Sequence, residues 1–437
     1  MIAIIQAGGA GTRLKSISGD TLKPMVPICG KPILEYQVES LVASGVDNIW
    51  IVCPANNTQV QDHFLDGSKW GIHIRYIVEE IPLGTGGALF YAAKFVKEDF
   101  ILVFGDLMLD VDFRRFMKFH KKHHSIISTF AHPNSHPYDS DILVVDGEGK
   151  VIHILSKKEP RDFYYANITN AGLYVVSKEL LATFDGLDKP IKMDFEKNLL
   201  SPSIYSDGVY AYISSEYVKD AGTPDRYEAI TKDILNKIPE SRNLLNPQRA
   251  IFLDRDGVIN VFGDFVTDAD KLFLKEDAGP AIKRINESRF LAICITNQPV
   301  IARGETTFEE MSRINDKLAV LLGEKGAYLN DLFYCPHHPD KGFGGEVPEL
   351  KIDCDCRKPK IGLLLKAQKK YNIDLKGSWF VGDTHQDIQT GINAGCRTIL
   401  ITTGDPDPAK KYADAKPDFI CETLDEAVSI IMKEEGK

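Results

Sequence analysis

The sequence contains no apolar run approaching the roughly 20 residues that a bilayer-spanning helix requires. It also lacks a basic leader with a cleavage site. The opening Met1-Ile2-Ala3-Ile4-Ile5-Gln6 is already strand-like, so no signal peptide is expected. Together these absences predict a cytoplasmic protein that does not engage a membrane. No internal repeat links one part of the chain to another, and no low-complexity tract interrupts it, which excludes solenoid and disordered designs. Positive charge is not in excess: the formal net charge is −10. Such a chain repels phosphate backbones at long range, so nucleic acid is not an expected partner. Small phosphorylated substrates remain open, because a site needs only a few local cations.

The chain does have length and an ordinary globular composition. It has 437 residues, of which 43% are hydrophobic and 26% charged. That length exceeds what one hydrophobic core usually serves, so two domains are expected. Short apolar runs alternate with amphipathic stretches. Residues 2–5 read as a buried strand followed by a glycine-rich turn. Leu34, Val38, Leu41, Val42 and Gly45 fall at helical spacing, and residues 48–53 and 100–104 are strand-like again. The pattern restarts at residues 250–253, with further strands at 292–296 and 378–383. This alternation predicts an α/β protein of two domains, each a mainly parallel sheet flanked by helices. Residues 1–236 form the first domain, the polar, proline-containing stretch 237–248 a linker, and 249–437 the second domain. In such sheets ligands bind beyond the carboxyl ends of the strands.

Three polar features follow strands in the first domain. Gly8, Gly9, Gly11, Thr12 and Arg13 form a loop whose glycines let backbone amides approach an anion, with Arg13 as a bidentate phosphate donor. Lys23 adds a second cation. Asp106 ends the strand 101–104, and Asp220 lies in Lys219-Asp220-Ala221-Gly222-Thr223-Pro224; both are candidate ligands for magnesium, a hard ion that prefers carboxylate and phosphate oxygens. In nucleotidyl transfer to a sugar 1-phosphate, the protein chiefly neutralises charge and holds the reacting groups in line.

These motifs, in this order, resemble the sugar-1-phosphate nucleotidyltransferases: QAGGAGTRL, LKPM, Leu83-Gly84-Thr85-Gly86-Gly87-Ala88, Phe104-Gly105-Asp106, Asn170-Ala171-Gly172 and KDAGTPDRY. The resemblance covers residues 1–235 and implies a Rossmann-like nucleotidyltransferase fold. It implies phosphate contacts for Arg13 and Lys23, catalytic roles for both, and a nucleotide pocket that includes Gly84, Thr85 and Asp106. It further implies magnesium on Asp106 and Asp220, with Asn170 and Gly172 on the sugar side. The loop is most similar to the branch that takes GTP and heptose 1-phosphate. Gln6 stands where the family has Leu. Lys158-Glu159-Pro160 stands where it has Glu-Lys-Pro, which leaves Lys157 or Lys158 to meet the sugar phosphate.

In the second domain Asp254-Arg255-Asp256-Gly257 follows a strand directly. Two carboxylates one residue apart suit phosphoryl transfer, with Asp254 attacking phosphorus and Asp256 acting as acid and base. Asp383, supported by Asp387, is a further carboxylate at a strand end, and Asp254, Asp256 and Asp383 are the candidate magnesium ligands. Thr296 and Lys358 are placed to hold the transferring phosphoryl group. Cys335, His337, Cys354 and Cys356 supply a three-sulfur, one-nitrogen set that suits a closed structural zinc site, with His338 as an alternative nitrogen. The remaining cysteines are single thiols, so no disulfide framework is expected.

Together DRDGVIN, TNQ, ARG, YCPHHPD, CDCRKPK and VGD resemble the heptose 1,7-bisphosphate phosphatase group of the haloacid dehalogenase superfamily over residues 249–430. That resemblance adds Asn297, Arg303 and Arg357 as substrate contacts. Pro299-Val300 stands where the group has Ser-Gly. The combined expectation is a bifunctional enzyme. One half removes the 7-phosphate of the heptose bisphosphate, and the other makes GDP-heptose from heptose 1-phosphate and GTP. A second expectation keeps the chemistry on mannose 1-phosphate or another hexose phosphate, and a third makes one half a non-catalytic binding module.

Overall fold

The computed structural model describes residues 1–8, 14, 17, 19–206, 208–402 and 412–436. Gly9, Gly11, Thr12 and Arg13 of the expected phosphate loop lie outside the described residues. The chain divides into two compact units. The first comprises Met1–His132, Asp141–Ser156 and Ile168–Leu244; the second comprises Pro133–Ser140, Lys157–Asn167 and Leu245–Lys437.

The first unit is built on a nine-stranded sheet. Across its main path the order is Val151–Leu155, Ile142–Val145, Thr169–Val176, Phe100–Phe104, Ile2–Gln6, Asn48–Pro54, His73–Glu79. Ile127–His132 pairs with Thr169–Val176, and Val209–Ile213 joins it in parallel. Ile2–Gln6 is parallel to both its neighbours, as a strand whose apolar centre, Ala3 to Ile5, is buried on both faces should be. Ala3 and Ile5 point into one core with Ile101 and Val103, whereas Ile4 packs on the other face with Val52 and Leu102, the two-residue alternation of a strand. The sheet is parallel through Phe100–Phe104, Ile2–Gln6, Asn48–Pro54 and His73–Glu79, and Thr169–Val176 adds antiparallel pairing to Phe100–Phe104 and to Ile127–His132. The expected helix is Ile33–Ala43; Gly45 lies just beyond its end at φ 81°, where a glycine relieves the left-handed turn.

The second unit carries a six-stranded, wholly parallel sheet in the order Asp331–Cys335, Phe290–Asn297, Arg249–Leu253, Trp379–Gly382, Arg397–Ile401, Phe419–Cys421. Its central strand, Arg249–Leu253, ends at Asp254. Thr384 and Asp387 form a capping box that starts the helix His385–Ala394 immediately after the strand carrying Gly382.

The stretch expected as a linker is partly structured. Ile238–Arg242 is helical, and Ile238 is buried with Val26, Ile33, Met108 and Ile230. The burial of this one apolar residue draws the turn into the first unit. Asn243 donates to Asp110 Oδ1 at 2.5 Å, and the Leu244 amide donates to Glu216 Oε1 at 3.2 Å. Glu216 is itself buried and also accepts from the Asp112 amide at 2.6 Å and the Ser214 hydroxyl at 2.9 Å.

Burial pushes the Glu216 carboxyl up to about 7 against these donors. A raised folded-state pKa means that the group's stabilising contribution is present below its unfolded value and is lost as pH rises through 7. Glu216→Gln keeps an acceptor for both amides. Thermal melts of the first unit should show wild type losing stability relative to Glu216→Gln between about pH 5 and pH 8, by up to ~3 kcal/mol. Parallel pH profiles for the two proteins would contradict this.

Candidate functional sites

In the first unit a two-stranded antiparallel ribbon, Leu107–Asp110 with Tyr217–Asp220, pairs Leu107 with Asp220 and so brings Asp106 and Asp220 together. The Ala221 amide donates to the Asp106 carbonyl at 2.9 Å, which locks the two backbones. Gly105 precedes Asp106; a Cβ there would stand 2.9 Å from the Gln6 carbonyl and from Pro24 Cγ, so only glycine permits this approach. Lys23 is buried, and its Nζ lies 2.5 Å from Asp106 Oδ2 and 3.7 Å from Asp220 Oδ1. Arg226 pairs with Asp220 Oδ2 at 2.5 Å. Asp220 Oδ1 is buried and accepts no hydrogen bond. Two carboxylates on a fixed backbone, one with an unspent buried oxygen, fit a hard divalent cation.

The loop expected beside the nucleobase is a short helical turn, Gly84–Gly87. Gly84 has φ 77°, and a Cβ there would collide with the Met193 carbonyl. The Gly86 amide donates to that carbonyl at 3.0 Å, and Thr85 Oγ1 accepts from the Phe195 amide at 2.8 Å. Gln6, which stands where the family has Leu, donates its carboxamide to the Thr85 carbonyl at 2.8 Å. It therefore holds the loop in place. Asn170 donates to Glu196 Oε1 and to the Tyr174 hydroxyl, both at 2.9 Å, and accepts from Thr129 at 2.8 Å. Burial raises the Glu196 carboxyl above its ordinary range. Glu196 is a residue that sequence reasoning missed. Gly172 has φ 72° and packs on Phe104, two residues before Asp106. Lys157 lies 3.5 Å from Asp139 Oδ1, in the second unit.

In the second unit Asp254, Asp383 and Asp387 offer oxygens within 4.8 Å of one another, all three residues buried. Lys358 Nζ stands 2.8 Å from Asp254 Oδ1 and 2.5 Å from Asp387 Oδ1. Burial raises the Asp254 carboxyl to about 6, with the charges of Asp387 and Asp256 adding to it and Lys358 opposing. Burial, then the charges of Asp254 and Asp387, carry Asp383 to about 8. Three crowded, buried carboxylates with one ammonium are short of positive charge, which is what a divalent ion would supply. Lys358 itself is held above the ordinary lysine value: burial works against its charge, but Asp254 and Asp387 prevail.

Asp256, expected among the ion's ligands, is not in this trio. Its carboxylate accepts from Arg255, from Asn260 at 3.0 Å and from Gln298 at 2.8 Å, a set of donors that turns it away. Asp387, expected only as support, is in the trio. Thr296 Oγ1 accepts from Gln298 Nε2 at 3.1 Å, which joins it to Asp256 through one side chain. Gln298 is thus a further residue missed at sequence level. Asn297 Oδ1 accepts from the Lys358 amide at 3.0 Å and so orients the lysine's backbone. Arg303 lies over Phe265 and Phe343, and its Nη2 is 3.4 Å from His338 Nε2; Arg357 donates to the His337 carbonyl at 3.3 Å. His338 is therefore outside the sulfur cluster, whereas Cys335, His337, Cys354 and Cys356 converge within 4.8 Å. The Cys356 sulfur is 3.1 Å from Cys335, 3.2 Å from Cys354 and 3.2 Å from His337 Nδ1. These separations sit just inside the ~3.7 Å edges of a tetrahedron with Zn–S bonds of ~2.3 Å, and the soft donor set suits that metal.

The model of the nucleotidyl transferase family matches residues 2–237, and that of the HAD-hydrolase-like family matches residues 355–427. Among curated proteins, the D-glycero-beta-D-manno-heptose-1,7-bisphosphate 7-phosphatase of Yersinia pestis is 37% identical over 176 residues, 40% of this chain and 90% of that protein. The D-glycero-alpha-D-manno-heptose-1,7-bisphosphate 7-phosphatase of Photorhabdus laumondii is 41% identical over 162 residues, 37% of this chain and 86% of that protein. Among solved structures, HddC from Yersinia pseudotuberculosis is 28% identical, covering 53% of this chain and 99% of that one, with a TM-score of 0.46. The chain belongs to the nucleotidyl transferase family and, through its second half, to the heptose-bisphosphate phosphatases of the HAD-like hydrolases. It is an enzyme that joins a nucleotidyltransferase to a phosphatase.

Gly257, at φ 80°, lies against the phosphatase carboxylates; a Cβ there would collide with Asp383 Oδ2. Gly257→Ala should therefore lower phosphatase kcat/KM by at least about a hundredfold, since misplacement by 1 Å alone costs that much. Nucleotidyl transfer by the same protein should stay within about twofold of wild type. A fully active phosphatase in this variant would contradict the placement.

Proposed function

We propose that the second half removes the 7-phosphate of D-glycero-alpha-D-manno-heptose 1,7-bisphosphate and that the first half then converts the heptose 1-phosphate to GDP-heptose with GTP. The observation that carries the reading is the buried Asp254–Lys358–Asp387 arrangement, with Asp383 beside it, in a half-chain more than a third identical to two heptose-bisphosphate 7-phosphatases. The printed names of those relatives differ in anomer. The alpha form follows from the resemblance of the front half, because the product of one step must be the substrate of the next.

In the phosphatase step an oxygen of Asp254 attacks the 7-phosphorus, and the bond from phosphorus to the sugar oxygen breaks. Asp256, aimed by Arg255, Asn260 and Gln298, protonates that departing oxygen and then deprotonates the water that hydrolyses the aspartyl phosphate. Lys358 and Thr296 hold the phosphoryl oxygens. In the transfer step an oxygen of the sugar 1-phosphate attacks the α-phosphorus of GTP and pyrophosphate leaves. Lys23 and Arg13 balance the charge of the phosphates, and the Gly84–Gly87 turn, held by Gln6, faces the base. Magnesium would be held by Asp254 and Asp383 in one site and by Asp106 and Asp220 in the other, where it neutralises phosphate charge. Zinc would be held by Cys335, His337, Cys354 and Cys356 in a closed structural role. No helix among the described residues is long and apolar enough to cross a membrane, and a reducing cytoplasm suits the unpaired thiols. We assign residues 1–236 and 249–437 to the two activities.

Asp254→Asn should lower phosphate release from the bisphosphate by at least about a thousandfold while leaving GDP-sugar formation from heptose 1-phosphate intact. Asp106→Ala should do the reverse. Undiminished phosphate release by Asp254→Asn would remove the phosphatase assignment. A strong thiol-compatible chelator should release one zinc ion per chain, with loss of phosphatase but not of transferase activity. Chelation that liberates no zinc would refute the structural zinc site.

A further inference from the structure

Lys23 stands where the ion of the transferase site would have to sit. Its side chain is 8% exposed, with Nζ 2.5 Å from Asp106 Oδ2 and 3.7 Å from Asp220 Oδ1. Arg226 covers the other Asp220 oxygen. Two carboxylates thus already face two cations. No side chain could fill the space beside them, since a Cβ on Gly222 would come within 2.7 Å of Asp220 Oδ1 and 3.2 Å of Lys23 Nζ. A magnesium ion shared by Asp106 and Asp220 would need bonds of ~2.0–2.1 Å to an oxygen of each. An ammonium lodged between those same oxygens excludes it, both by volume and by like charge.

We propose, resting on the transferase reading above, that Lys23 is a place-holding cation. It neutralises the Asp106–Asp220 pair in the metal-free enzyme and vacates it when ion and nucleotide arrive together. Without nucleotide, an incoming ion must expel an ammonium that pairs with no further carboxylate among the described residues. With a triphosphate present, Lys23 exchanges carboxylates for phosphate oxygens, and the ion takes the carboxylates. Metal binding is thereby tied to phosphate binding. When pyrophosphate leaves, the returning lysine helps to eject the ion. The lysine acts here as a positioning residue for the metal, in addition to its contact with phosphate.

The test is manganese binding to the full chain without nucleotide, read as free Mn2+ by electron paramagnetic resonance. It is run in an Asp383→Asn background so that the phosphatase carboxylates do not contribute. The binding class that Asp106→Ala removes from the Lys23→Met protein in that background is the transferase ion. Lys23→Met should tighten this class by about tenfold, and Lys23→Gln, which keeps a polar group without the charge, should tighten it similarly. Lys219→Met removes an equal charge from a neighbouring residue paired with Asp233 at 2.6 Å, and should change the affinity by less than about twofold. An Asp106-dependent class with the same affinity in wild type and both Lys23 variants would overturn the proposal. So would a class that Lys219→Met tightens equally. If Asp106→Ala removed no binding class, the transferase ion assignment itself would fall, and the inference with it.

Discussion

An ammonium lodged between two aspartates recurs at the strand ends of both units: Lys23 with Asp106 and Asp220, and Lys358 with Asp254 and Asp387. Carboxylates cannot be gathered in a partly dry site without compensating charge. The lysine in each case makes the gathering tolerable, and in the proposed function the same lysine then meets an incoming phosphate. The chemistry of both reactions is mostly a matter of bringing anions together, so the sites are built from positive charge and cation-binding oxygens on rigid backbone rather than from elaborate nucleophiles.

The two units reach this arrangement by different routes. In the second, Asp254 and Asp383 come from the ends of adjacent parallel strands, and Asp387 from the first turn of the helix that Thr384 caps. In the first, a strand end supplies Asp106 but a separate antiparallel ribbon supplies Asp220, with a 3-10 turn carrying Lys23. Glycines matter where backbone and carboxylate touch. Gly105 and Gly257 occupy places that no side chain could share.

Much of this was legible in the sequence because strand-end polar residues are marked by the apolar runs before them. Asp106, Asp254 and Asp383 could each be named from such a run, and the sulfur cluster from its paired spacing. The mixed character of the first sheet was not legible, since the direction of Thr169–Val176 is set by its neighbours and leaves no trace in its own apolar pattern. Nor were Gln6, Glu196 and Gln298, whose roles are hydrogen bonds to residues 26 to 79 positions away. Asp256 lies outside the Asp254–Asp383–Asp387 trio for a related reason. Its neighbour Arg255, read only as part of a motif, turns inward and takes the carboxylate with it. The stretch 237–248 looked like a linker because it is polar; its first half is nonetheless buried, with Ile238 in a core and Asn243 and Leu244 bonded to Asp110 and Glu216.

The proposed function is a sequence of two reactions in one chain. Its most direct test is a phosphorus NMR time course of the full-length enzyme with heptose 1,7-bisphosphate, GTP and magnesium. Inorganic phosphate should appear first, followed by pyrophosphate and a GDP-heptose that carries no 7-phosphate. A nucleotide sugar that retains its 7-phosphate, or a bisphosphate that persists undiminished, would contradict it.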